Sequence, residues 1–280
     1  MRFGANSLIW AESFGPEQLE LLPRLKEAGL DGIEIALFDP YSFHAAPIRR
    51  VLERNELACT VCSIIPRGAS LIAADQEQRC KARSHVEACL SATAELGGRV
   101  LAGPLYSPVG YFSGQRRTVV EWRWAVESWQ ELRPAVAKSG VEVALEPLNR
   151  FETYFLNTAA NAAALCDEIG DPSIGILIDT FHANIEEKSI GSALRQAGGH
   201  LRHIHACEND RGIPGTGHVN WPEFFSTIRA IVYDGWLTIE SFGFSLGQVA
   251  AAASIWRDLA PAPEAIAFEG VKFLRGNLVA

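Results

Sequence analysis

Short apolar runs alternate with longer amphipathic stretches along the whole chain. The runs are RFGANSLIW, GIEIAL, ACTVCSII, RVLAGPL, VEVALEP, IGILIDT, LRHIHAC and WLTIESF. Each has strand length, and most are apolar almost throughout, as expected of parallel strands covered on both faces. Helical periodicity fills the intervals at 16–28, 45–55, 76–96, 118–138, 158–169, 190–197, 222–232 and 246–258. Gly29, Gly97, Gly98, Gly140 and Gly170 follow four of these stretches as left-handed C-terminal caps, and Asn157 and Thr158 open the fifth as an N-cap. Eight repeats of strand then helix predict a parallel sheet. Beyond Pro261 and Pro263, residues 264–277 read as one more amphipathic helix, packed against the outside.

Four runs break their own pattern. Glu146, Asp179, His205 and Glu240 stand late in the fifth to eighth runs, where an unpaired carboxylate would cost several kcal/mol to desolvate. Closed barrels build active sites from polar residues at the C-terminal ends of several strands, whereas an open doubly wound sheet concentrates them at one switch point. The expectation is therefore an α/β fold, a (β/α)₈ TIM barrel with an extra C-terminal helix, with residues 1–280 forming a single catalytic domain.

Composition narrows the partners. The chain is 48% hydrophobic and 21% charged, an ordinary balance for a globular enzyme. A net charge of -8 and a sequence pI of 5.4 are the opposite of the basic surface that nucleic acid requires. MRFGANSLIW lacks the order of a signal peptide, and no run approaches the roughly 20 apolar residues of a membrane span. A cytoplasmic protein acting on a small molecule, with neither nucleic acid nor membrane as partner, is expected. Cys59 and Cys62 form a C-x-x-C, but residues three apart on a strand point to opposite faces and the chain has no second such pair. Reduced cysteines fit better than a redox or zinc motif.

Three carboxylates and one imidazole suit a single octahedral divalent ion, Mn²⁺ foremost with Co²⁺ or Mg²⁺ as alternatives, rather than a closed structural zinc site. Four protein ligands leave two positions, enough for adjacent carbonyl and hydroxyl oxygens of a sugar. Strands five and eight lie about 135° apart in an eight-strand ring, which sets Glu146 and Glu240 opposite each other. That placement suits a two-base proton transfer, one carboxylate removing a proton from carbon and the other returning one to the opposite face. The segments after the strands add further polar residues: Asn149, Arg150 and Glu152, then His182, Asn184, Glu186 and Glu187, then Glu208 and Arg211. Glu152, His182 and Arg211 are candidates for binding hydroxyls and fixing a carbonyl. Glu186 and Glu187 read as acids interacting with a helix start. On the fourth helix, Trp122 and Trp129 share a face, for core packing or for contact between copies.

The motifs E-x-x-N-R-[FY]-E, D-T-[FY]-H-x-N-I-E-E and H-x-x-E-x-x-R-G, with a final E-S/P-F, read here EPLNRFE, DTFHANIEE, HACENDRG and ESF. In these the chain resembles the D-tagatose 3-epimerase and D-psicose (allulose) 3-epimerase group, the ketose 3-epimerases among the xylose isomerase-like barrels. The resemblance implies that Glu146 and Glu240 are metal ligands and also the acid/base pair, that Asp179 and His205 are ligands only, and that Glu152, His182 and Arg211 hold the O1 to O3 end of the sugar. It further implies C3 epimerisation of free ketoses such as D-tagatose, D-fructose/D-psicose or L-ribulose through a cis-enediolate, usually with Mn²⁺ or Co²⁺, by a homodimer or homotetramer. Departures at Asn6, Ser7, Cys207 and the loop PLYSPVGYFSG fall where the far end of the sugar is expected. Related alternatives are an aldose-ketose isomerase or a dehydratase/lyase of the same superfamily. A metal phosphoesterase would need more ligands and a basic surface, and a non-catalytic sugar-binding barrel completes the set.

Overall fold

The computed structural model describes residues 1–242 and 247–278. Strands β1 (Arg2–Asn6), β2 (Gly32–Ala36), β3 (Ala58–Cys62), β4 (Val100–Gly103), β5 (Glu142–Leu145), β6 (Ile174–Asp179), β7 (Leu201–His205) and β8 (Trp236–Ile239) succeed one another around a closed barrel. Every neighbouring pair is parallel, and β8 pairs back onto β1. The chain thus forms the expected (β/α)₈ barrel.

Helices α1 (Leu21–Glu27), α2 (Ala45–Arg54), α3 (Gln76–Leu96), α4 (Val119–Ser139), α5 (Ala159–Ile169), α7 (Ile190–Ala197) and α8 (Trp221–Ala230) connect the strands, and α10 (Pro263–Leu278) is the extra C-terminal helix. Their ends are set locally. Thr118 and Glu121 form a capping box at the start of α4, and Gly140 closes it in the left-handed conformation. Gly97 and Gly170 close α3 and α5 in the same way.

The differences from the sequence pattern lie at the mouth of the barrel. The first apolar run stops being a strand at Asn6, whose side chain accepts from the Leu8 N–H and turns Ser7–Ile9 into a 3₁₀ segment. The stretch at 16–28 divides into a 3₁₀ turn, Pro16–Gln18, and α1. A short helix, α6 (Thr180–Glu186), comes directly after β6 and is capped by Asp179 itself, whose Oδ1 accepts from the Phe181 N–H at 2.7 Å. The helix expected at 246–258 is α9 (Gly247–Ala252), ending just before the left-handed Ser254; its expected first residue, Leu246, lies outside the described residues.

Alternation along the strands divides the side chains into two sets. Outward ones such as Ile33, Ile35, Val61, Leu101, Val143, Ile178 and Leu237 join the helices in one continuous core. Inside the barrel, Val100, Ala102, Ala144, Leu177 and Trp236 pack together. The interior also holds buried polar residues: Asn6, Glu34, Thr60, His203, His205 and Thr238. Strand register places Asn6 beside Glu34, Glu34 beside Thr60, and Asp179 beside His205. Gly103 ends β4 where the backbone runs close to its neighbour: at φ +126° a Cβ there would lie 2.1 Å from the Ser63 carbonyl oxygen.

Trp129 is fully buried, while Trp122 packs beside Phe155 and donates to Glu168, so this face of α4 serves the core. All six cysteines are free, with Cys59 in the main core and Cys62 against the barrel interior. Among the described residues no helix is long and apolar enough to cross a membrane.

Candidate active site

Asp179 and His205 are the last residues of β6 and β7, while Glu146 and Glu240 stand one residue beyond β5 and β8. Donor atoms from all four lie within 4.8 Å of one another. His205 Nδ1 faces the three carboxylates, 3.3 Å from Glu240 Oε2, 3.8 Å from Asp179 Oδ2 and 4.0 Å from Glu146 Oε1. The Glu146 Oε1 and His205 Nδ1 atoms are buried without a hydrogen-bond partner. Each such atom costs about 1–3 kcal/mol if nothing satisfies it. Converging oxygens with one bare imidazole nitrogen and no thiolate among the four are a donor set for a hard or borderline divalent cation, so the residues present fit one.

Burial and the crowd of charges pull these groups in different directions. Desolvation, with Glu240 and Asp179 adding to it and His205 and Arg211 opposing, pushes Glu146 well above the usual carboxylate range. Burial would raise Asp179 too, but Arg211, with the His205 and His182 imidazoles nearby, holds it well below that range. For His205 burial works downward, yet Glu240 and Glu34 lift the imidazole well above its ordinary value.

Arg211 penetrates further into this group than a loop residue would suggest. Its Nη1 donates to Asp179 Oδ2 at 2.5 Å and to Glu240 Oε2 at 2.9 Å, and its guanidinium lies over the Phe181 ring with Cζ 4.2 Å from the centroid. The backbone at Arg211 is left-handed, φ 66°, within a loop organised by Glu208. That carboxylate accepts from the main-chain N–H groups of Asn209, Gly215 and Val219 and from Trp221 Nε1.

His182, on α6, accepts at Nδ1 from the Asn149 N–H at 3.2 Å, which leaves Nε2 facing Glu146 Oε1 at 3.6 Å. Burial pushes its imidazole down to about 3, so the ring is neutral near pH 7. Glu152 Oε1 accepts from Asn149 Nδ2 at 2.8 Å, and burial raises its carboxyl against the pull of Arg211. All seven residues singled out in the sequence therefore come to one end of the barrel. Asp179 lies under the Arg211 guanidinium; the other six line a cavity of about 500 Å³.

Three expectations change. Asn6, Ser7 and Cys207 do not border the far end of the cavity: Asn6 Nδ2 donates to Glu34 at 2.9 Å, Ser7 Oγ accepts from the Ala36 N–H, and Cys207 Sγ lies 3.0 Å from Arg211 Nη1. Glu186 ends α6 rather than opening it and pairs with Arg150, because α6 begins at Thr180. Glu187 does meet a helix start, but that of α5, through the Ala159 N–H at 2.8 Å.

The pattern of strand ends missed Glu34, which touches His205 Nε2 at 2.7 Å from the middle of β2. A signal existed: GIEIAL carries a carboxylate inside an apolar run, and His203 shares a face with His205 two residues on.

A closed barrel with a buried carboxylate and imidazole cup at the C-terminal mouth, opening into a cavity, defines the class: a barrel enzyme with a site fitted to a divalent metal. Residues 22–276 match the model of the "Xylose isomerase-like TIM barrel" family, and the chain belongs to that family. It is 37% identical to the "Probable ketose 3-epimerase" of Synechocystis sp., over 98% of this chain and 96% of that protein. It is 30% identical to the L-ribulose 3-epimerase of Mesorhizobium japonicum, over 92% of this chain and 88% of that one. The crystal structure of D-allulose 3-epimerase from Methylomonas sp. in complex with D-allulose superposes with a TM-score of 0.94 at 26% identity, covering 99% of this chain and 97% of that one.

Proposed function

We propose that residues 1–280 act as one catalytic domain that epimerises free ketoses at C3, with Glu146 and Glu240 as the acid/base pair. The observation that carries this reading is the placement of two buried carboxylates beyond β5 and β8, on opposite sides of one cup, in a chain whose relatives are named ketose 3-epimerases. Deprotonation by one and reprotonation by the other on the opposite face inverts C3 through a cis-enediolate.

The ion would be held by Glu146, Asp179, His205 and Glu240, with Mn²⁺ preferred and Co²⁺ or Mg²⁺ as alternatives; when bound it supplies a Lewis acid that stabilises negative charge developing on the substrate. Arg211 and neutral His182 border the same space and would orient the O1 to O3 end, with Glu152 accepting from a hydroxyl. The outer cavity wall is largely apolar, with Leu8, Phe38, Val109, Phe242 and Val249 beside Glu12 and Ser13, and Arg211 is the only lysine or arginine lining the cavity among the described residues. Since Arg211 is already paired with two carboxylates, the lining favours an unphosphorylated sugar such as D-tagatose, D-fructose/D-psicose or L-ribulose.

The exposed Tyr111, Phe112, Val119 and Phe151 support a homodimer or homotetramer, the acidic balance argues against a nucleic-acid partner, and the enzyme is read as cytoplasmic and without a membrane partner. Product chromatography on free pentuloses and hexuloses with Mn²⁺ tests the assignment. Conversion of a ketose to its C3 epimer is expected; an aldose product would move the chain to the aldose-ketose isomerases, and tight preference for a phosphorylated ketose would overturn the free-sugar reading.

A further inference from the structure

We propose that Glu34 is the positioning residue that fixes the tautomer and aim of His205, and with them the affinity of the cup for its metal. The proposal rests on the metal reading of Glu146, Asp179, His205 and Glu240, but not on the identity of the sugar.

Glu34 stands in the middle of β2, on the far side of His205 from the cup, and is completely buried. Its Oε1 meets His205 Nε2 at 2.7 Å and accepts from Asn6 Nδ2 at 2.9 Å. Its Oε2 accepts from Thr60 Oγ1 at 3.1 Å, with His203 Nε2 at 2.8 Å as a close charge contact out of line for a hydrogen bond. Each carboxylate oxygen therefore has two polar neighbours from different strands, so the group cannot swing away from His205 without abandoning the others.

An ionised carboxylate only accepts. His205 Nε2 must therefore carry the hydrogen, and the lone pair of Nδ1 is left facing Glu146, Asp179 and Glu240. A metal-ligating histidine commonly depends on such an outer carboxylate for its tautomer and ring angle, and loss of that partner lowers metal affinity about 10–100-fold. Asn6 extends the arrangement, since its Nδ2 also lies 3.4 Å from Glu240 Oε1. One amide thereby ties Glu34 to a second member of the cup.

The test is a titration of the full-length protein with Mn²⁺, read by electron paramagnetic resonance of the free ion, for the wild type and Glu34→Gln. The amide keeps the shape but offers one acceptor oxygen where His205, Asn6 and Thr60 meet two. An affinity lower by about 10–100-fold is expected. Because Glu34→Gln could misfold, the wild type supplies a second readout: in the Mg²⁺-loaded protein, ¹⁵N–¹H correlations should show His205 protonated at Nε2 and bare at Nδ1. Equal Mn²⁺ affinity of the folded variant and the wild type, or a proton on Nδ1, overturns the role of Glu34 while leaving the epimerase reading intact. A wild type that binds no Mn²⁺ overturns the metal reading as well.

Discussion

The two halves of the barrel carry polar residues under opposite conditions. From β5 to β8 the four residues of the cup stand at the strand ends, and they include buried atoms without partners, Glu146 Oε1 and His205 Nδ1. In β1 to β3, Asn6, Glu34 and Thr60 lie on the strands themselves and bond to one another. Buried polar atoms left bare are costly and persist where something else is to meet them. Those that satisfy one another hold shape. The comparison assigns chemistry to the first half and support to the second.

The largest effect should come from the bare half. Glu146→Gln and Glu240→Gln keep the volume but remove the proton acceptor, and each is expected to lower ketose turnover by at least about 10²–10⁴-fold. Steady-state kinetics of the metal-loaded variants would show it. Near-wild-type turnover in either variant would break the assignment of chemistry to that half.

Arg211→Lys sharpens the same contrast. The substitution keeps a charge between Asp179 and Glu240 but loses the planar guanidinium, whose Nη1 meets both carboxylates while Nη2 lies 3.2 Å from His182 Nε2. A fall in kcat/KM of roughly tenfold is expected, with KM rising if Arg211 chiefly binds sugar. Unchanged kcat/KM would leave Arg211 as a structural counter-charge only.

The smallest effect concerns a satisfied carboxylate that sits in the otherwise bare half. Burial raises the Glu208 carboxyl, but Trp221 and the main-chain N–H groups of Val219, Asn209 and Gly215 outweigh this and hold it below its ordinary value of 4.5. A depressed carboxylate contributes stability above its unfolded value, lost as pH falls through the folded one. Thermal midpoints of the wild type should therefore decline below about pH 4.5 more steeply than those of Glu208→Gln. Parallel declines would show that Glu208 does not hold the loop bearing Arg211 in this way.

Much of this was legible in the residues. Apolar runs gave all eight strands, and the caps Thr158 and Gly170 bounded α5 closely. The cup was legible because Glu146, Asp179, His205 and Glu240 interrupt runs that should end apolar. Glu34 was not: β2 is buried along its whole length, and one carboxylate in mid-strand reveals its purpose only when His205 is seen opposite, across the barrel and 171 residues away. The helix α6 was hidden because Asp179 both ends β6 and caps the helix directly after it. Asn6 was misplaced because its partners come from β2, β3 and the end of β8, and no local pattern records them.

Isotope exchange tests the central claim most directly. The Mn²⁺-loaded protein is incubated with a free ketose in D₂O, and the recovered sugars are read by NMR. Inversion by Glu146 and Glu240 predicts deuterium at C3 of the epimerised ketose. Deuterium at C1 or C2 of an aldose with none at C3 would contradict it.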